Sequence, residues 1–161
     1  MYKIENQVCT FEQAKKFTEW GIELQSYFVW LRTKPSDKSP IYIYKIYPRW
    51  LAEQENDSMY LNAYSCAELG TMLPDSLVRK EDNFYPVARW RLFQMETSTD
   101  YRAAYFENGG WSAIYKGEQQ KHEAHAKADL LLLLLRKKII KPEDLTLTLP
   151  YYDQKREEYE E

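Results

Sequence analysis

The sequence predicts an α+β fold, an antiparallel sheet with helices packed on one face, in the order α-β-β-α-β-β-β-α. Three observations carry this. Two helix-start signatures of the capping-box type, T-x-x-Q at Thr10–Gln13 and S-x-x-E at Ser65–Glu68, each lead into a helical pattern. Runs of aromatic and β-branched residues are separated by turn chemistry, which gives hairpins in place of the strict β-α alternation of a parallel sheet. The segment HEAHAKADLLLLLLRKKII, His122 to Ile140, closes the pattern as the strongest helix signal.

The first helix is expected over Phe11 to Trp20, stopped by Gly21 as a left-handed residue. Phe11, Ala14 and Phe17 share an inward face there, leaving Glu12, Lys15, Lys16 and Glu19 to solvent. Tyr27 to Arg32 and Ile41 to Tyr47 read as two paired strands across the loop TKPSDKSP, and Pro48 ends the second. Along that strand Ile41, Ile43 and Lys45 alternate with Tyr42, Tyr44 and Ile46, so both faces are apolar or amphipathic. The polar stretch Ala52 to Met59 reads as an exposed connection. A short helix follows Ser65, with Tyr64 stapled onto Leu69 and a stop before Pro74.

Between Tyr85 and Glu107 alternation is strand-like: Ala88, Trp90 and Leu92 against Arg89, Arg91 and Phe93, then Tyr101, Ala103 and Tyr105 against Arg102, Ala104 and Phe106. The turns TSTD and Asn108-Gly109-Gly110, followed by Trp111 to Tyr115, complete a three-stranded meander. On the last helix Ala124, Ala128, Leu131, Leu135 and Ile139 form the main inward stripe, while Ala126, Leu130 and Leu133 form a second about 180° away. Folding back of LTLTLP, with Leu145, Leu147 and Leu149, is the expected cover of that second stripe, so Leu133 should be substantially buried.

At 161 residues the chain has the length of one domain, assigned to 1–150, with 151–161 as an acidic, flexible tail. An aromatic content of 16% argues against disorder. The chain carries 25 acidic and 22 basic residues, but the tail YYDQKREEYEE holds five of the acids and two of the bases, so the body is neutral. That balance counts against nucleic acid as a partner, because phosphate neutralisation demands basic excess. No basic n-region precedes an apolar stretch at the start, and the longest apolar run, Leu130 to Leu135, is far below the roughly 20 residues of a membrane span. With no CxxC spacing, Cys9 and Cys66 read as reduced thiols, which places the chain in the cytoplasm and leaves thiolate zinc unsupported.

Three blocks, VCTFEQAKKFTEWGIE, YSCAELGTMLP and GGWSAIY followed by HEAHAKADLLLLLLRKKII, occur in this order. In them the chain resembles a group of small uncharacterised phage- and prophage-associated proteins of gut Bacteroidetes. The resemblance covers most of the chain and implies a small cytosolic accessory protein of phage origin. It brings no activity, cofactor or catalytic residue. The chain departs from the pattern in its longer polar connection at Ala52 to Met59 and in its acidic extension.

No catalytic, cofactor-binding or metal site is assigned. On the last helix His122, His125, Asp129 and Arg136 fall within one arc, but His122 and Asp129 are about 10 Å apart along the axis. The helix thus offers two ligands where a stable metal site wants three or four, and the expected reading is a solvated polar face. Cys66, at a helix first turn, has the placement that activates a thiolate, yet its expected role is that of a small hydrophobe. No serine sits in GxSxG, and Gly109-Gly110 reads as a hairpin turn, not a phosphate loop. The aromatic–basic segments YIYKIYPRW (Tyr42–Trp50) and RWRLF (Arg89–Phe93) are the best binding features, suited to stacking single-stranded nucleic acid or to half-buried sheet edges. The leading expectation is a non-enzymatic accessory protein acting through protein contacts. The alternatives are a single-stranded nucleic-acid-binding accessory protein and a metal-dependent enzyme.

Overall fold

The computed structural model describes residues 3–54, 59–78, 87–95, 98–107 and 112–147. Helices and antiparallel strands follow one another as α1 (Phe11–Glu19), β1 (Phe28–Thr33), β2 (Ile43–Pro48), α2 (Arg49–Glu53), β3 (Tyr60–Asn62), α3 (Cys66–Met72), β4 (Ser76–Val78), β5 (Val87–Gln94), β6 (Tyr101–Glu107), β7 (Ala113–Lys116) and α4 (Glu123–Arg136). Single 3-10 turns at Ile4–Asn6 and Pro142–Asp144 flank them. The fold is α+β, and its expected helices and hairpins are present. The strands divide into two sheets, β2-β1-β3 and β4-β5-β6-β7, where the sequence suggested one.

Both capping boxes form. Thr10 Oγ1 accepts from Gln13 N at 3.1 Å while Gln13 Oε1 accepts from Thr10 N at 2.9 Å, satisfying two of the orphan donors at the start of α1. Gly21, at φ 81°, takes the left-handed turn after α1, with the Gly21 and Ile22 amides returning to Thr18 and Phe17 carbonyls. Ala14 and Phe17 are buried as expected, but Phe11 is only half-buried, packed against Trp30 and Tyr44 of the first sheet. The stretch read as an exposed connection is helical at its start: Pro48 leads into α2, and Ala52 is fully buried with Val29 and Leu31 in a small second core. Met59 is exposed as expected.

The main core is built around α4, whose Ala124, Ala126, Ala128, Leu130, Leu131, Leu132, Leu134 and Leu135 are all buried. Two apolar stripes are needed because the helix packs on several elements at once: α1 and α3 on one side, β5, β6 and β7 on the other. Gly117, just after β7, permits the closest approach, since a Cβ there would meet the Ala103 oxygen at 3.2 Å and Leu130 N at 3.3 Å. The helix stops at Arg136, with Lys138 in the left-handed region at φ 58°, so Ile139 turns outward and Ile140 inward. Leu145 is buried and Leu147 packs against the core, but the expected cover of the second stripe comes at Leu130 from the second sheet, where Leu130 lies against Gly117 just after β7. Leu133 itself is only half-buried. Leu149, the turn Asn108-Gly109-Gly110, Trp111, Thr97 of TSTD and the tail 151–161 lie outside the described residues.

Candidate functional site

The reactive groups singled out from sequence are absorbed by packing. His122 precedes α4 and does not extend it, and His125 is half-buried with Nε2 at 3.1 Å from the Glu5 carbonyl. The two rings meet edge to face at 5.0 Å, and Gln13 Nε2 donates to the His125 carbonyl at 2.9 Å. Burial holds the His125 imidazole below its ordinary pKa. This differs from the expected solvated face: the 3-10 turn Ile4–Asn6 packs on α4, a contact between segments far apart in sequence. Asp129 lies apart, its Oδ2 accepting from Glu118 N at 2.6 Å, and with Arg136 it rims a mixed-charge cleft of about 240 Å³ that also exposes part of Leu133. Among the described residues no group of three or more His, Cys, Asp or Glu side chains is placed to hold a metal ion.

Cys66 begins α3 with its Sγ at 3.8 Å from Glu123 Oε2 and its carbonyl accepting from Lys127 Nζ at 3.3 Å. Cys9 is sealed in the core, where burial pushes its thiol up to about 12.

The least anticipated polar group is Glu68. Its capping-box role was legible, but its carboxylate, fully buried, also reaches the entry to β1. Oε2 accepts from Ser65 N at 2.7 Å and Ser26 Oγ at 2.8 Å, and Oε1 accepts from Tyr27 N at 2.9 Å. Arg49 Nε donates to the Ser26 carbonyl at 2.7 Å, and Asn62 Oδ1 accepts from both Arg49 Nη2 and Ser26 N. A serine beside a carboxylate suggests chemistry. Here both are closed to solvent and neither histidine takes part, so the cluster is a clamp joining α3, β1, β3 and α2.

The open surfaces are aromatic and cationic. At one end of the first sheet a shallow groove of about 560 Å³ is lined by Phe11, Lys15, Tyr44, Met59, Tyr60 and Leu61. Phe11 stacks on Tyr44 at 4.1 Å with Lys15 5.5 Å above its ring. Arg32 and Lys34 lie 4.3 and 4.8 Å from the Tyr42 ring, and Met59 and Tyr60 are 62% and 37% exposed. Of YIYKIYPRW, then, only Tyr44 reaches the groove; Trp50 stands exposed on α2. Lys15, Met59 and Tyr60 were missed, because they come from α1 and from the start of β3, two segments that only the fold brings beside Tyr44.

On the second sheet the register pairs Arg89 with Phe106, Arg91 with Ala104 and Phe93 with Arg102, placing these six side chains on one face. The opposite face carries Ala88, Trp90, Leu92, Ala103 and Tyr105, all in the core beneath α4. RWRLF is therefore split by the pleat into a buried and an outer set.

Comparison with family models, with curated proteins and with solved structures finds no match to this chain. No helix among the described residues is long and apolar enough to cross a membrane.

Proposed function

We propose that this is a non-enzymatic accessory protein acting through protein contacts, with the groove at the end of the first sheet as its docking site. The carrying observation is that exposed Met59 and Tyr60 join Phe11, Tyr44 and Leu61 in one groove, so that apolar and aromatic surface from three segments is gathered in a single concave site. A flexible thioether among aromatics adapts to a partner's side chains, and the aromatic rings supply large contact area at small entropic cost. The proposal includes a cytoplasmic protein of phage or mobile-element origin, for which the resemblance of the three sequence blocks is the support.

Affinity capture from cells that make the protein tests this reading. Met59→Glu places a charge in the groove and, at an exposed position, leaves stability within about 0.5 kcal/mol. A protein retained by the original chain and lost by Met59→Glu is the expected result. Identical capture by both chains contradicts the docking site.

A further inference from the structure

We infer that the outer face of the second sheet binds single-stranded nucleic acid. The whole-chain charge balance hides how the cations are distributed, and binding responds to local potential. By register Arg89, Arg91 and Arg102 share this face with Phe93 and Phe106, and no carboxylate joins them there among the described residues of β4 to β7. Phe93 and Phe106 lie 6.0 Å apart, edge to face, with the Arg91 guanidinium 5.6 Å from the Phe106 ring. Arg102 supplies a separate observation: its Nε–H is buried and has no hydrogen-bond partner among the described residues. A buried unmet donor is costly, and a guanidinium is shaped for bidentate contact with a phosphate. Ala104, paired with Arg91, is itself buried, so the face is reached through exposed Arg89 and Arg91 and through the partly exposed rings of Phe93 and Phe106. Stacking on these rings tolerates any base, and the arginines beside them suit the phosphates of a single strand. The face is separate from the groove on the first sheet, so either can fail without the other.

The test is fluorescence anisotropy of a labelled oligothymidylate, titrated with the full chain between roughly 50 and 200 mM salt. Three phosphate contacts to a single strand predict a slope of log affinity against log salt of about −2. Arg91→Ser, at an exposed position, should reduce the magnitude of that slope by about 0.7. Phe93→Ala should weaken binding about tenfold with the slope unchanged. Circular dichroism establishes that each variant is folded. Absence of salt-dependent binding, or binding that neither variant alters, overturns the inference. So does inorganic polyphosphate or a polyglutamate peptide binding as tightly as the oligothymidylate, which would leave a general anion patch without base stacking.

Discussion

YIYKIYPRW and RWRLF use the same alternation of aromatic and basic residues, yet the fold gives them different surroundings. The first sheet is flanked by short helices: α1 sets Phe11 against Trp30 and Tyr44, while α2 seals Val29 and Leu31 with Ala52. Neither helix covers the whole sheet, and the remainder becomes a groove with recesses. The second sheet has the 14-residue α4 across one face, and Ala88, Trp90, Leu92, Tyr101, Ala103 and Tyr105 of β5 and β6 join the core there. Its outer face carries Arg89, Arg91 and Arg102, of which Arg89 and Arg91 are exposed. Alternation in sequence thus defines two faces, but the length and placement of the covering helix decide what each face can do.

This contrast can be broken by substitution. The largest expected effect is on the inner face of the second sheet. Tyr105 is fully buried and donates to the Pro74 carbonyl at 2.7 Å, so Tyr105→Ala should cost about 3–5 kcal/mol in urea denaturation, against about 0.5 kcal/mol or less for Arg91→Ser on the outer face. Comparable losses would mean that the outer face is not free of structural duty. On the first sheet, Glu68→Ala removes the acceptor for Ser26 Oγ and for the Tyr27 and Ser65 amides. A loss of roughly 3 kcal/mol is expected, since each buried unmet donor costs about 1–3 kcal/mol. A change below 1 kcal/mol would show that the clamp between α3 and β1 is dispensable.

Local rules were legible where local chemistry decides. Thr10, Gln13, Gly21, Ser65 and Glu68 announced the ends of α1 and α3 because caps depend on residues only a few positions apart. Division into two sheets was not legible, since a hairpin motif says which strands are neighbours in sequence and not whether β3 joins β1 or β4 joins β5. Ala52 looked solvent-exposed because its neighbours are polar, although one small residue is enough to seat α2 on Val29 and Leu31. The double stripe on α4 was visible as a pattern. Its cover, supplied by α1, α3 and the strands β5 to β7, needed the tertiary arrangement.

Smaller effects sharpen the account at the helix ends. Ser65→Ala should cost about 1 kcal/mol through the lost cap on α3, read as a shift in urea midpoint with unchanged m-value. His125 adds a pH dependence of definite sign. Its folded pKa lies below its unfolded value of about 6.5, so the unfolded chain binds more protons between the two. The stability this group contributes is complete above about pH 6.5 and declines as pH falls through and below that value. His125→Gln should therefore lose less stability than the original chain between about pH 7.5 and 5.5, and a larger loss in the variant would contradict the assignment.

The claim that exposed groove residues exist for contact is tested most directly by a photo-crosslinking residue at position 59, with exposed Ala67 on α3 as the control position, in cells that make the protein. A protein adduct is expected from position 59 and none from position 67. Equal adducts from both positions, or none from position 59, would contradict it.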